Sequence, residues 1–224
     1  MCIMMSQSIR QLPLFLLNTV LFPGMPLNLY IFEERYKQMV HDCQEGDLPF
    51  GVVLIQQGRE AGGPLAIPYE VGCLARINKL ESLSENRYNL LAVGGERFRV
   101  QSFQHDRPYL VGDVELIPLQ PGKPEDVARL ERQLRPRIDR YMRILVQEGV
   151  DDLLKALPED PLSFAYVASI ILQISPREKQ EFLEIPDATS LLERLVEVYR
   201  KELALVEKII QTSPGKDDKL FSNN

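Results

Sequence analysis

The sequence predicts an α+β fold: a small barrel of short, mostly antiparallel strands followed by a helical bundle. Three observations carry this. The hydrophobic period changes from that of strands to that of helices near residue 120. Pro118, Pro121, Gly122 and Pro124 punctuate the chain at that point. Frequent turn signals divide the first half into short runs with one charged helical segment among them, the pattern of a closed or partly closed barrel. The expected parts are residues 1–119 (β-rich), 120–212 (helical) and 213–224, a polar tail expected to be disordered.

Strands are expected near 12–17, 27–31, 50–56, 71–80, 87–93, 96–104 and 109–117. The stretch LPLFLLNTVLFPGMPLNLYIF, Leu12 to Phe32, holds two apolar runs joined by Phe22-Pro23-Gly24-Met25-Pro26. The charged segment EERYKQMVHDC then reads as a helix. Phe50 to Gln56, FGVVLIQ, is short, apolar and β-branched, as a buried strand should be. Gln57 to Tyr69 contains Gly58, Gly62, Gly63, Pro64 and Pro68 and reads as a mobile surface loop. Ser84-Glu85-Asn86 supplies a turn. Gly94-Gly95 sits between two strand-like runs and predicts a tight hairpin. After it, Phe98 and Val100 alternate with Arg97 and Arg99, so the arginines fall on the opposite face.

In the second half Leu130, Leu134, Ile138 and Leu145 recur at helical spacing, and Pro136 is expected to kink or break that helix. Asp160-Pro161 reads as an N-cap followed by a first-turn proline, opening a helix through Phe164, Val167, Ala168, Ile171 and Leu172. Ser175-Pro176-Arg177-Glu178 is a capping box. A last apolar-striped helix follows Asp187. Asp151-Asp152 and Glu159-Asp160 fall at helix ends, where negative charge suits the dipole, and are read as caps rather than acid–base pairs.

Composition narrows the function classes. Lys plus Arg is 26 against 32 Asp plus Glu, a net charge of −6. That sign disfavours nucleic-acid binding, which draws much of its affinity from cations set against phosphates. Three widely spaced cysteines, Cys2, Cys43 and Cys73, argue against a disulfide framework and for a reducing, cytoplasmic setting. With His41 and His105 as the sole histidines, no metal site is expected, and no cofactor. Asn18, Pro23, Gly24, Pro26 and Asn28 interrupt the Leu12–Phe32 run, so no membrane span is expected. Neither histidine has a Ser or Cys arranged for nucleophilic catalysis.

Several segments, in order and spacing, are similar to one family. Leu12-Pro13-Leu14 through Phe22-Pro23-Gly24 resembles the first strand and FPG turn of the Lon-protease amino-terminal, substrate-binding domain. Val71-Gly72-Cys73-Leu74-Ala75-Arg76-Ile77 resembles its VGT-A-I strand. Gly95-Glu96-Arg97-Phe98-Arg99-Val100 resembles its G-x-R-F/A strand, and Tyr109 through Leu116 its Y-x-x-x-x-V-E-L strand. Asp160 to Leu183 resembles its D-P…K-Q-x-x-L-E helical block. The resemblance covers residues 10–212 and implies a PUA-like pseudo-barrel followed by a helical bundle. It implies recognition of unfolded or tagged polypeptide, or of a partner protein, without catalysis. Full Lon proteases carry a phosphate loop and a Ser-Lys dyad. Here Gly122-Lys123 is followed by Pro124 where a phosphate loop needs Ser or Thr, and the chain ends at Asn224. The expectation is a stand-alone module lacking ATPase and peptidase.

The expected peptide-binding residues are Phe22, Pro23, Met25, Pro64 and Tyr69, at the FPG turn and the Gly58–Tyr69 loop, close to the start of the helical half. Each has a plainer reading: Pro23-Gly24 as a tight turn, Phe22, Met25 and Leu27 as core. Met also suits an adaptable surface because its thioether is flexible. Arg76, Arg97 and Arg99 form a basic stripe or a solvated face. The alternative function is an RNA-binding PUA-like domain. A weak homo-oligomer is compatible with these features.

Overall fold

The computed structural model describes residues 8–59 and 66–212, with Glu85 described by its backbone alone. The expected tail at 213–224, and Pro64 with part of its loop, lie outside the described residues. The strands are β1 (Ser8–Leu17), β2 (Pro26–Ile31), β3 (Phe50–Gln57), β4 (Ile67–Leu83), β5 (Arg87–Gln104) and β6 (Leu110–Leu116). Helix α1 (Glu34–Gly46) lies between β2 and β3. Then come α2 (Pro124–Leu145), α3 (Val150–Lys155), α4 (Pro161–Ile171), α5 (Pro176–Glu184) and α6 (Ala188–Thr212). The expected α+β order is therefore observed. The short helix α3 was not foreseen.

The sheet runs β2-β5-β4-β3-β1-β6, and β5 also pairs with β6, so five strands close into a ring. β1 and β3 are parallel and the other pairs antiparallel. β2 stands outside the ring and pairs with the first half of β5, from Tyr88 to Val93. The second half, from Phe98, pairs with β6.

This division of β5 corrects the hairpin expected at Gly94-Gly95. The strand runs unbroken from Arg87 to Gln104, and the glycines mark the place where it passes from β2 to β6. Gly94 is needed because another backbone arrives there. A β-carbon on it would lie 2.1 Å from the Phe22 carbonyl oxygen. Glycine in a strand interior often marks such an approach.

Alternation along the strands sorts the core. Leu12, Leu14, Leu16, Val53, Leu74, Phe98 and Val100 pack together with β6 residues as the ring's interior. Phe15, Leu17, Phe50 and Val52 point the other way and pack under α1, on Tyr36, Met39, Val40 and Cys43. Phe15 stacks on Tyr36 with ring centroids 3.8 Å apart. A third cluster joins Val20, Phe22, Leu54, Val71 and Leu119 to the apolar faces of α2, α4, α5 and α6. The helices thus cover the outside of the ring.

That cover corrects the basic stripe. Arg76 and Arg99 are exposed, but Arg97 is 2% exposed. Its Nη1 donates to the carbonyls of Leu183 and Ile185, 2.6 Å to each, at the C-terminal end of α5. Period-two alternation places Arg97 outside the barrel correctly, but that outside is where the helices dock.

Of the kink or break expected at Pro136, the break does not occur, because α2 continues through it as one helix. Pro136 is exposed, and so is Arg132, whose carbonyl loses its intrahelical donor. The caps expected at Asp160 and Ser175 are present, whereas the N-cap of α3 is Gly149 and not an acidic residue. Asp160 accepts from the Ser163 amide at 2.9 Å, and Ser175 and Glu178 form the reciprocal capping box. Asp151 and Asp152 occupy the first turn of α3.

Candidate functional site

The Phe22–Met25 segment folds as a type II turn. Met25 N–H donates to the Phe22 carbonyl at 3.0 Å, Pro23 supplies the first central position and Gly24 the positive φ of 77°. The turn is tied to β5 on both sides. Gly24 N–H donates to the Gly94 carbonyl, and Gly94 N–H to the Met25 carbonyl, each at 2.9 Å. Its position therefore follows the barrel.

The structure brings three of the five expected residues onto one apolar cluster. Phe22 is fully buried, its ring tilted against Tyr166 of α4 at a centroid distance of 6.3 Å. Met25 and Tyr69 are half-buried against the same helical cluster. Pro23 is half-buried in the turn, and Pro64 lies outside the described residues. Phe22 consequently anchors the turn to the helices and offers no surface of its own.

Beside this cluster a groove of about 470 Å³ opens between the barrel and α5. One wall is the end of β3, Leu54 to Gln57, with Asn18 and Tyr69; the other is the first turn of α5, Pro176 and Arg177. Tyr69 was expected here from sequence; the β3 residues, Asn18 and Arg177 were not. The available signal was Gln56-Gln57, two carboxamides that close an apolar strand run. Leu54, Ile55, Tyr69 and Pro176 offer apolar contact. Carboxamides both donate and accept hydrogen bonds, which suits them to a peptide backbone whatever its side chains.

A second concavity, about 510 Å³, lies on the arm formed by β2 and the adjoining halves of β4 and β5. Register places Asn28, Leu91 and Lys79 in one row and Tyr30, Asn89 and Glu81 in the next. Lys79 and Glu81 neutralise each other at 2.5 Å. Tyr30 and Phe32 are about half exposed nearby, and β2 has no strand partner on its outer edge among the described residues.

The remaining polar groups hold structure. On α1, Asp42 accepts from the Tyr109 hydroxyl and from Gln38, with Arg107 at 3.5 Å. These partners, Tyr109 first, hold the Asp42 carboxyl below its usual value against a smaller opposing effect of burial. Burial pushes the Cys43 and Cys73 thiols up to about 12, which leaves them protonated and poor nucleophiles. Among the described residues no group of three His, Cys, Asp or Glu could hold a metal ion, and no helix is long and apolar enough to cross a membrane.

Comparison with known proteins bears on the family and the fold. Residues 11–201 match the family described as the ATP-dependent protease La (LON) substrate-binding domain. Lon protease 2 of Syntrophobacter fumaroxidans is 25% identical over 204 residues, covering 90% of this chain and 25% of that protein. Lon protease 2 of Myxococcus xanthus is 28% identical over 215 residues, again with 25% of its length covered. The chain thus spans about a quarter of the length of the curated relatives it matches. The crystal structure of a Lon N-terminal domain protein from Xanthomonas campestris superposes with a TM-score of 0.60 at 28% identity, covering 84% of this chain and 98% of that one. The N-terminal domain of the Mycobacterium avium complex Lon protease has a TM-score of 0.67 at 15% identity, which shows the shared fold.

Proposed function

Because the chain belongs to the family of the ATP-dependent protease La (LON) substrate-binding domain, we propose that it is a non-enzymatic module that binds extended, unfolded stretches of polypeptide. The observation that carries the proposal is the groove between β3 and α5. It combines half-buried apolar side chains, Tyr69 among them, with carboxamides at Asn18, Gln56 and Gln57. Apolar walls take side chains without regard to order, and the amides meet the backbone. Met25, half-buried over the same cluster, extends the apolar surface, and the Phe22–Met25 turn forms a rigid lip. Buried free thiols at Cys43 and Cys73 suit a cytoplasmic setting.

Affinity in this reading is modest, about micromolar, because ordering an extended chain offsets much of the contact energy. Salt dependence is weak, because Arg177 is the sole charge among the described groove-lining residues. The test is fluorescence anisotropy with one labelled protein presented folded and permanently unfolded. Binding of the unfolded form alone, lost in Tyr69→Asp and Met25→Asp, supports the proposal. Equal binding by both variants moves the site elsewhere. Binding of RNA with a steep salt slope, and no polypeptide binding, replaces it.

A further inference from the structure

The groove's two walls come from different halves of the chain, and a buried side chain ties them together. Gln180 on α5 is 1% exposed. Its Nε2 donates to the Val71 carbonyl of β4 at 3.0 Å and to Glu184 Oε1 at 2.8 Å. Its Oε1 is buried and has no hydrogen-bond partner among the described residues. Val71 lies two residues beyond Tyr69, roughly 7 Å along a strand. Gln180 lies three residues beyond Arg177, about 4.5 Å along a helix. The tie therefore sits just behind the lining residues of both walls. Arg97 fixes the other end of α5 through the carbonyls of Leu183 and Ile185.

A buried carboxamide with an orphaned oxygen is costly; an apolar side chain of similar size would remove that cost but would strip the buried Val71 carbonyl of its side-chain donor. What the glutamine supplies against that cost is the bond to Val71, which joins α5 to the barrel. Building on the peptide-binding reading above, we propose that Gln180 is a positioning residue that sets the width of the groove, holding the α5 wall against the barrel wall so that the site is preformed. Preformed sites bind more tightly because less ordering remains to be done on binding.

Two readouts test this, one of them independent of any ligand. Spin labels at Gln57→Cys and Arg177→Cys, in a Cys2→Ser background, report the distance between the walls. Gln180→Met keeps the length and removes the donor; Gln180→Asn keeps the carboxamide but falls one methylene short. Each is expected to broaden the distance distribution and, without the labels, to weaken binding of a permanently unfolded polypeptide at least tenfold. A far smaller loss is expected from Lys201→Met, on the exposed side of α6. Unchanged distances in both variants overturn the proposal. So does weakened binding with an unchanged distance, or a widened groove with unchanged affinity. If the wild type binds no polypeptide, the function above fails, and the distance measurement alone then decides whether Gln180 holds the walls.

Discussion

The α-carbon of Gly94 packs so closely on the Phe22 backbone that a β-carbon added there would lie 2.1 Å from the Phe22 carbonyl oxygen. Gly95, its neighbour, has no such constraint; a β-carbon there would meet Leu74 at 3.4 Å, an ordinary contact. Gly94→Ala should therefore cost about 3 kcal/mol or more, because backbone must shift and the turn's bonds to Gly94 stretch. Gly95→Ala should change stability by less than about 1 kcal/mol. Urea unfolding of the two variants checks the contrast, and equal effects would refute the packing described.

Arg97 makes a similar comparison. Arg97→Ala leaves a cavity and strips the Leu183 and Ile185 carbonyls of their donor, which should cost about 3–4 kcal/mol. Arg97→Met leaves the carbonyls unpaired but fills the space and buries no charge, so its cost should be clearly smaller. Chemical unfolding again gives the numbers. A larger loss in the methionine variant would contradict these contacts of Arg97.

The Asp42–Tyr109 contact predicts a pH dependence. Its partners lower the Asp42 pKa in the folded state. A lowered folded-state value means the stabilisation is complete above the unfolded value of about 3.9 and is lost as pH falls through the folded value. The difference in stability between wild type and Asp42→Asn should be constant from pH 7 to 5. It should shrink below about pH 4. A difference that instead disappears between pH 7 and 6 would point to another group.

The barrel and helical parts share the cluster that runs from Phe22 and Leu54 to Leu191 and Leu195. We propose that the boundary at residues 117–124 separates two subdomains that do not unfold independently. Thermal unfolding followed at strand-sensitive and helix-sensitive ellipticity should give one coincident transition. Two resolved transitions would contradict the shared core.

Local chemistry was the legible part of this fold. Asp160 and Ser175 read as caps because a cap involves residues three apart. Phe22-Pro23-Gly24 read as a turn because proline and glycine each supply a backbone angle that the turn requires. Gly94-Gly95 misled because two glycines also mark a hairpin, and what decides between the readings is the Phe22 carbonyl, more than seventy residues earlier. Arg97 misled because alternation identifies a strand's outer face but not what covers it. At the groove, Tyr69 was singled out as part of a loop expected over Gln57 to Tyr69, whereas it lies in β4, which begins at Ile67. Arg177 was read as part of a capping box, and only the docking of α5 on the barrel turns it towards Leu54 and Tyr69.

The most direct test of the central claim is amide hydrogen exchange with and without a saturating, permanently unfolded polypeptide. The account predicts new protection at the end of β3, around Leu54 to Gln57, at Tyr69 and in the first turn of α5, with the outer edge of β2 unchanged. Protection confined to β2 and the Tyr30–Phe32 surface, or no protection anywhere at saturation, would contradict it.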